Sequence, residues 1–508
     1  MSSSILLLLC ILTIIPSCLD AAIPPRGYFI SCGATKEETV NGIKWIPDEG
    51  FIQEGNISKV EDHNVMPILS SLRYFADTSA RKFCYVIPVT KGAKYLVRTT
   101  YYYGNFDSKN APPVFDQIID GTKWSSVDTS ANFADGMTSY FEIIVASKGK
   151  ELSVCLARNA HTVSSPFISA LELVQLEDSM YNSTDFSSTC LAQLLAIVSD
   201  HDGPILSYPD DPYNRYWESF VDENPVVECQ SNISSSDFWN IPPVAAMQRA
   251  VTTSRGKQLT VKWPTMSLPE TSYYVALYFQ DNRNPSPYSW RVFDVSINGD
   301  NFYKGLNASS SGVMAYGKQW PLSGQIEITL NPNSNSPVGP LINAGEILQI
   351  VPLGGRTLTR DAIAMEHLAR SLNNPPSDWS GDPCFPPENS WTGVTCTQGL
   401  LGRVLKVNLT NFGISGTISD GIANLTAVKD IWLGGNKLSG QIPNLSSLHH
   451  LVSLHLENNE LSGHIPSSLG ELENLQELYL QNNKFEGGLP DSLKKRSGIE
   501  IQTYSGDQ

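Results

Sequence analysis

Three ring-bearing side chains that could bind a ligand recur at regular intervals near the end of the chain. Trp432, His455 and Tyr479 are separated by 23 and 24 residues. Tryptophan and tyrosine carry much of the binding energy at protein interfaces, so this spacing indicates noncovalent recognition of a peptide or protein. The polar residues expected beside the rings are Asp430, Glu457 and Gln481. The alternative is that these are isolated surface aromatics that contact no partner.

The segment that carries these residues repeats one pattern four times, and the repeat sets the direction of each side chain. The units are 404–427, 428–450, 451–474 and 475–498, and they follow the leucine-rich-repeat template L-x-x-L-x-L-x-x-N-x-L. A period of this length predicts a solenoid whose coils bury their leucines by stacking. The residue between the last two leucines points away from that core. We therefore expect Asn408, Trp432, His455 and Tyr479 to form one column on the concave face.

The chain offers little for catalysis. Glycoside hydrolysis needs two convergent carboxylates, whereas the side chains of the adjacent Asp210 and Asp211 would diverge in a strand. Asp116 and Asp294 occupy matching positions in two similar segments, which favours a role in the fold. The sequence contains no serine-hydrolase, zinc-protease or P-loop motif, no C-x-x-C pair and no histidine cluster. It predicts a protein that is not an enzyme and uses neither a cofactor nor a metal.

Composition and the first residues predict an extracellular protein. The 508 residues carry a net charge of −16, which disfavours binding to nucleic acid and to anionic lipid. Residues 1–22 look like a signal peptide, because the apolar stretch from Ile5 to Ile15 is too short to span a bilayer. No later stretch is long enough to form a membrane helix. We expect a protein that is secreted to the cell exterior or cell wall.

Seven N-x-S/T sequons support the secreted assignment, since glycosylation occurs on surface segments of secreted chains. They are Asn56, Asn182, Asn232, Asn307, Asn408, Asn424 and Asn444. Asn408 also belongs to the predicted concave column. A glycan there would crowd one end of the face and move binding toward Trp432–Tyr479.

Seven cysteines remain after removal of the predicted signal peptide, and an oxidising compartment favours disulfides between them. We expect Cys384 to pair with Cys396, closing a cap over the open edge of the first coil. An odd count leaves one thiol, and the strand-like run around Cys155 predicts that this residue is buried and unpaired. Cys190 and Cys229 are also expected in disulfides, with their pairing left open.

The first 350 residues contain a second, fainter repeat. Tyr95–Gly121 and Tyr273–Gly299 match at an offset of 178 residues. A second pair of segments, Pro166–Leu176 and Pro340–Ile350, agrees in order. Both copies are rich in short alternating apolar runs separated by turn residues, which is typical of strands. The fold class predicted is therefore mainly β, with tandem β-sandwiches over 24–180 and 200–353 followed by a short leucine-rich-repeat solenoid.

Residues 359–399 are predicted to join the sandwiches to the repeats. Apolar residues recur at helical spacing in Thr359–Leu372, and Asp361 lies in the first turn, where an acidic side chain suits the helix dipole. Asn373 to Pro376 then ends the helix. The cap with Cys384 and Cys396 follows.

Four segments together resemble the malectin-like plus leucine-rich-repeat ectodomains of plant receptor-like kinases, including the symbiosis receptor-like kinase. They are 28–33 (YFISCG), 72–85 (containing LRYF and RKFCY), 208–217 (YPDDPYNRYW) and 381–384 (GDPC). The resemblance covers almost all of the chain after residue 22 and implies a pair of malectin-like lobes. It also implies that Cys32 pairs with Cys84. Those receptors continue into a membrane helix and a kinase, and we find neither motif set in this sequence.

The resemblance implies sugar binding as one role, because malectin itself binds carbohydrate. Such a site needs aromatic faces and fixed polar groups. The candidates in the first lobe are Tyr101, Tyr103, Asn105, Asp107 and Trp124. The alternative is that alternate tyrosines of this run fill the sandwich core, as aromatic strand residues commonly do.

Three functions are consistent with this sequence. The preferred one is a secreted recognition protein that binds an extracellular peptide, protein or receptor-like kinase through its repeats. The second is a module that binds cell-wall carbohydrate, with the repeats as a support. The third is a wall-associated structural or inhibitory protein.

Overall fold

The computed structural model describes residues 23–60, 65–199, 203, 205–228, 234–235, 237–281, 283 and 290–503. The predicted signal peptide lies outside these residues, as do Cys229 and Asn232. The described chain forms two β-sandwiches, a helical cap and a leucine-rich-repeat solenoid. This arrangement confirms the predicted fold class.

The first lobe packs two sheets around an aromatic and aliphatic core. The sheet β2-β3-β1-β13-β7-β10 lies against the sheet β6-β11-β8-β9. Burial alternates along β3 and β9, whereas β7, β8, β11 and β13 are buried over most of their length. The elements are β1 (Gly27–Ser31), β2 (Glu38–Val40), β3 (Ile43–Pro47), β4 (Asn56–Lys59), β5 (Ser71–Tyr74), β6 (Phe83–Pro88), β7 (Lys94–Tyr101), β8 (Phe115–Ile119), β9 (Thr122–Val127), α1 (Ser130–Ala134), β10 (Ser139–Ala146), β11 (Glu151–Arg158), β12 (Phe167–Ile168) and β13 (Ala170–Gln175).

The second lobe repeats the strand pairings of the first. The order β13-β7-β10 recurs as β26-β20-β23, and β6-β11-β8-β9 recurs as β19-β24-β21-β22. The small sheet β12-β5-β4 likewise recurs as β25-β18-β17. The strands are β14 (Thr189–Ser199), β15 (Ile205–Leu206), β16 (Trp217–Phe220), β17 (Val226–Glu228), β18 (Arg249–Thr252), β19 (Leu259–Lys262), β20 (Leu268–Phe279), β21 (Arg291–Ile297), β22 (Asp300–Ala308), β23 (Val313–Gly324), β24 (Glu327–Pro332), β25 (Leu341–Ile342) and β26 (Ala344–Pro352).

Strand β14 joins the two lobes into one continuous sheet. On one side it pairs with β10, where Ile143 is opposite Ala192. On the other side it pairs with β26, where Cys190 is opposite Val351. The strand begins before residue 200, in the interval that the sequence left between the two copies. Main-chain hydrogen bonds across this boundary hold the lobes in one orientation.

Buried charges fill the junction between the lobes. The Asn214 amide donates to Glu172 at 2.7 Å, and its carbonyl accepts from Arg98 at 2.6 Å. The next residue, Arg215, lies 3.6 Å from Glu346 of the second lobe. Glu172 and Glu346 are matching residues of the two copies. Successive residues of one segment therefore bind the corresponding glutamate of each lobe.

The solenoid stacks its coils into two sheets, which are parallel except at the first pair of strands in each. The concave sheet has the order β29-β31-β33-β35-β37-β39, and the second sheet has the order β28-β32-β34-β36-β38. One leucine-rich core runs through all coils. The elements are β27 (Arg356–Thr357), α2 (Thr359–Ser371), β28 (Leu372–Asn373), β29 (Val394–Cys396), β30 (Leu401–Gly402), β31 (Val404–Asn408), β32 (Ser415–Thr417), β33 (Asp430–Trp432), β34 (Lys437–Gly440), β35 (Ser453–His455), β36 (Glu460–His464), β37 (Glu477–Tyr479), β38 (Lys484–Glu486), α3 (Asp491–Lys494) and β39 (Glu500–Gln502).

Helix α2 covers the first coil with an apolar face. Ala364, Met365 and Leu368 are buried against the repeats, whereas Ile363 is exposed. Asp361 is also fully buried, and its carboxylate accepts hydrogen bonds from Arg403 and from the Val404 amide, each at 3.0 Å. This residue therefore ties the helix to the first repeat in addition to lying in the first turn.

The cap also packs against the first lobe. The fully buried Lys82 donates to the main-chain carbonyls of Asp382 and Phe385. The neighbouring Arg81 amide donates to the Asp378 carboxylate at 3.0 Å. The segments 72–85 and 381–384, which carry the family resemblance, thus lie on the two sides of one interface. This interface fixes the position of the solenoid relative to the sandwiches.

Three of the predicted cysteine assignments are wrong. Cys84 forms a disulfide with Cys155, so Cys155 is not the free thiol and Cys32 is not the partner of Cys84. The two cysteines face each other across β6 and β11. Cys32 and Cys190 are buried free thiols, which contradicts the disulfides expected for them, and burial raises the pKa of both. The predicted pair Cys384–Cys396 is confirmed.

Candidate functional site

The concave face of the solenoid contains the aromatic column that the repeat predicts. Strands β31, β33, β35 and β37 pair in parallel and in register. Asn408, Trp432, His455 and Tyr479 are therefore neighbours on successive strands. Each of these side chains is half-buried. The in-register geometry agrees with the expectation from the sequence.

The three rings form a stack along the column. The centroids of Trp432 and His455 are 5.2 Å apart with their planes 4° from parallel. The centroids of His455 and Tyr479 are 4.3 Å apart at 13°. The ammonium group of Lys406 lies 3.0 Å from the Trp432 centroid, which is a cation–π contact. The ring faces contact one another, so the ring edges are left for a ligand.

Hydrogen bonds fix the polar edges of the rings. The Trp432 indole donates to the Ser453 hydroxyl at 2.6 Å, and that hydroxyl donates to the Asp430 carboxylate at 2.7 Å. The His455 Nε2 is 3.0 Å from the Glu477 carboxylate. Each ring is held by a polar group on its own coil or the next. The column is therefore organised before any ligand binds, which lowers the entropy cost of binding.

A fifth coil extends this face beyond the four predicted repeats. Strand β39 pairs with β37, which places Glu500 beside Glu477 and Gln502 beside Tyr479. The Tyr479 hydroxyl donates to Glu500 at 2.9 Å, and this hydrogen bond raises the pKa of Tyr479. This coil is not among the four repeats predicted from the sequence. The alternation of Ile499 and Ile501, one period after the preceding leucines, was the available signal.

Glu457 and Gln481, two of the polar residues predicted beside the rings, contain atoms without a hydrogen-bond partner in the described part of the chain. Glu457 lies over Gly434, where a side chain would meet its carboxylate oxygen at 2.2 Å. Gln481 donates to Gln502 at 3.1 Å. Among the described residues, neither the buried Oε2 of Glu457 nor the buried Oε1 of Gln481 has a hydrogen-bond partner. Buried polar atoms without a partner are costly, so these two atoms are an unfavourable feature of the face.

A ladder of asparagines supports the turns behind this face. The side-chain amide of Asn459 donates to the carbonyls of Leu433 and Leu456, at 3.0 and 3.1 Å. Asn436 and Asn483 make equivalent contacts in the coils on either side. These residues satisfy main-chain groups inside the solenoid and have a structural role.

The carbohydrate site predicted in the first lobe is not an open aromatic surface. Tyr101 and Tyr103 are buried in the sandwich core, and Trp124 is also buried. The Tyr101 ring packs against Phe115 and Phe167, and its hydroxyl donates to Gln117 at 2.8 Å. These tyrosines therefore fill the sandwich core, which was the alternative to a sugar site, because their side chains face the opposing sheet.

The two polar candidates of the same site hold the following turn. Tyr103 and Ser164 both donate to the Asp107 carboxylate. The Asn105 side chain accepts from the Asn110 amide at 2.8 Å. Their hydrogen bonds are made within the lobe, so Asn105 and Asp107 do not combine with an exposed ring to form a sugar site.

Most predicted glycosylation sites lie on accessible surface. The exposed sequon asparagines are Asn56, Asn182, Asn307, Asn424 and Asn444. Asn408 is half-buried, and its side-chain carbonyl accepts from the Thr410 amide at 3.1 Å. Asn408 lies at the N-terminal end of the column, so a glycan on this residue would crowd that end of the concave face, as predicted.

Two negative observations apply to the described ranges. No helix in them has the length and apolar character needed to cross a membrane. The same residues contain no group of three or more histidine, cysteine, aspartate or glutamate side chains arranged for a metal ion.

Tandem β-sandwiches joined to a capped leucine-rich-repeat solenoid define the class of this protein. Family comparison matches the malectin-like domain over residues 30–350. It also matches the leucine-rich-repeat N-terminal domain over 360–397 and the leucine-rich repeat over 450–472 and 474–495. The chain belongs to the malectin-like family.

Similar curated proteins are receptor-like kinases from Arabidopsis thaliana. The chain is 31% identical over 482 residues to the protein named "Probable LRR receptor-like serine/threonine-protein kinase At1g67720", covering 87% of this chain and 49% of that protein. It is 30% identical over 433 residues to the similarly named PAM74, covering 82% and 48%. The chain thus spans about half the length of these relatives.

Solved structures share the fold of the sandwich pair. The ANX2 ectodomain from Arabidopsis thaliana aligns with 64% of this chain and 97% of that chain, at 15% identity and a TM-score of 0.54. A structure of the plant peptide RALF23 in complex with FER and LLG2 aligns with 65% and 96%, at 18% identity and a TM-score of 0.53. These alignments support the two-lobed malectin-like architecture.

Proposed function

We propose that this protein acts outside the cell and binds a peptide or protein partner through the concave face of its repeats. The observation that carries the proposal is the stacked column of Trp432, His455 and Tyr479, partly exposed and held by hydrogen bonds. Ordered aromatic groups on a concave surface are typical of binding hot spots. The sandwiches position this face through the interface between the first lobe and the cap.

The comparisons support an extracellular recognition role. The relatives are named as receptor-like kinases, and one structure of similar fold contains a plant peptide. The signal-peptide pattern in residues 1–22 and the sequons support secretion. A receptor-like kinase is one of the partner classes consistent with this role. Carbohydrate binding is not proposed, because the predicted aromatic residues are buried.

Affinity capture from plant extracellular fluid tests the proposal. The intact secreted protein is compared with the double variant Trp432→Ala, Tyr479→Ala. The matched control is Trp239→Ala, Tyr303→Ala, which removes one exposed tryptophan and one exposed tyrosine from the second lobe. We expect partners captured by the wild type and the control to be depleted at least fivefold by the concave-face variant. Equal recovery by all three proteins would contradict the proposal.

A further inference from the structure

The concave face has an uncompensated negative charge. Four carboxylates line its columns: Asp430, Glu457, Glu477 and Glu500. The cation on the same columns is Lys406, which is stacked on Trp432. Within the described part of the chain, no lysine or arginine forms an ion pair with any of the four carboxylates.

Some carboxylates outside the concave face have cationic partners. On the neighbouring ladder, Lys484 lies 2.7 Å from Glu460. On the cap helix, Arg370 pairs with Glu366. The concave face thus groups four carboxylates that have no lysine or arginine partner among the described residues. Like charges on one concave surface repel each other and create a potential that attracts a cation.

Two of the face carboxylates lie on neighbouring coils and have no lysine or arginine partner in the described ranges. Among the described residues, the Oε2 atom of Glu457 is buried and has no hydrogen-bond partner. The Glu477 side chain is 44% exposed although it contacts His455. A cationic group placed between them would offset both negative charges. Hydrogen bonds between ionised groups are stronger than those between neutral groups.

We propose that the concave face binds an extended basic segment of a partner protein or peptide. This inference rests on the proposed function and specifies the chemistry of the ligand. Neighbouring strands are about 4.8 Å apart, so Asp430 and Glu477, two coils apart, are separated by about 10 Å along the solenoid. An extended chain covers about 10 Å in three residues. Arginine or lysine at every third position matches the face, and their aliphatic stems pack on the ring edges.

Calorimetric titration with synthetic peptides tests the charge requirement. The intact protein is titrated with a nonapeptide of three Gly-Ser-Arg units and with the Gly-Ser-Gln and Gly-Ser-Glu counterparts. We expect the arginine peptide to bind at least tenfold more tightly than either counterpart. Raising the salt concentration from about 50 to 300 mM is expected to weaken the binding of the arginine peptide at least threefold, because the Debye length shortens.

Charge-matched variants locate the binding. The double variant Glu457→Gln, Glu477→Gln is expected to bind the arginine peptide at least fivefold more weakly than the wild type. The control Glu366→Gln, Glu460→Gln removes the same charge elsewhere and is expected to change affinity less than twofold. Equal effects of the two double variants, equal affinity for the glutamine peptide or no binding would each overturn the inference. If the capture experiment still depends on Trp432 and Tyr479 in that case, the proposed function stands and the basic ligand is wrong. If both fail, the face is not a binding site.

Discussion

The ammonium group of Lys82 donates a 2.6 Å hydrogen bond to the main-chain carbonyl of Asp382, and this contact joins the first lobe to the cap of the repeats. A second hydrogen bond goes to the Phe385 carbonyl at 2.9 Å. Burial lowers the pKa of Lys82 to about 8, despite the opposing influence of Asp382 and Asp378. Burying this ammonium group costs free energy, and its hydrogen bonds fix the orientation of the concave face relative to the first lobe.

Replacing Lys82 with methionine should loosen the cap from the first lobe. The side chain keeps its length, but the two carbonyls lose their donors inside the interface. Leaving them unsatisfied costs about 1–3 kcal/mol each. We expect the unfolding free energy to fall by about 2–4 kcal/mol and hydrogen exchange to increase in 378–385. The control Lys44→Met removes an exposed ammonium paired with Glu37 and should cost less than about 1 kcal/mol. A Lys82 variant as stable as the control would contradict this role.

Gly381 should be intolerant of alanine, because two restrictions meet at this residue. Its φ is +67°, and a Cβ would lie 2.8 Å from the Cys84 sulfur. We expect Gly381→Ala to lower the unfolding free energy by about 2–4 kcal/mol, measured by chemical denaturation. Gly92→Ala separates the two causes, since Gly92 has a φ of +83° and open space around it. This control should cost only about 1–2 kcal/mol. Equal losses would show that the contact with the disulfide has no effect.

Sequence periodicity was sufficient to locate the aromatic column but not its contacts. The place of a residue within a repeat unit fixes its direction, so Trp432, His455 and Tyr479 could be assigned to one face. Their stacking depends on side-chain rotamers, which the period does not encode. The Glu500 contact was missed because the last coil departs from the leucine template.

The cysteine pairing and the tyrosine run required information on nonlocal neighbours. The pattern around Cys155 correctly indicated a buried strand, but its partner lies 71 residues earlier in sequence. The two residues become neighbours only through the register of β6 and β11. Similarly, alternation places Tyr101 and Tyr103 on one face of the chain. Whether that face is covered depends on the opposing sheet.

Asp120 should make stability depend on pH in a direction opposite to most carboxylates. Burial raises its pKa to about 6, although the Ser153 amide and hydroxyl donate to it. The folded state therefore holds a proton between about pH 4 and 6 that the unfolded state has released. This stabilising contribution is present below about pH 4 and is lost as the pH rises through 6. Removing the charge should then stabilise the protein at neutral pH.

Asp120→Asn tests this sign directly and keeps a residue type that tolerates the positive φ of 43°. We expect the variant to be about 2 kcal/mol more stable than the wild type at pH 7 and equal to it below about pH 4. Urea unfolding across this pH range gives the difference curve. Asp128→Asn is a useful contrast, since hydrogen bonds from Ser130 lower the pKa of Asp128. Its difference curve should have the opposite sign. A difference in unfolding free energy between Asp120→Asn and the wild type that does not change with pH would contradict the raised pKa of Asp120.

The disulfide arrangement can be checked without mutation. Non-reducing peptide mapping should give Cys84 linked to Cys155 and Cys384 linked to Cys396. Cys32 and Cys190 are buried, and burial raises the pKa of each thiol, which disfavours the reactive thiolate. They should therefore react with a maleimide only after denaturation. A Cys32–Cys84 peptide, or labelling of Cys32 in the native protein, would contradict the structure.

Arg215 should be the most sensitive residue of the junction between the lobes. It is fully buried, donates to Asp211 at 2.7 Å and lies 3.6 Å from Glu346. Replacing it with methionine leaves two buried carboxylates without their cation, which typically costs about 3–5 kcal/mol. The control Arg370→Met removes an exposed arginine paired with Glu366 and should cost less than about 1 kcal/mol.

The stability lost in the Arg215→Met variant should depend on pH, because the variant leaves the Glu346 carboxylate without its cation. Burial already raises the pKa of Glu346, and the nearby Arg215 opposes that increase. Without the arginine, Glu346 is expected to take up a proton, so the Arg215→Met variant should recover part of its stability as the pH is lowered from 7 to 5. Denaturant unfolding at both pH values measures the recovery relative to the wild type. A loss that is the same at both pH values would mean that packing, and not the uncompensated carboxylate, holds the two lobes together.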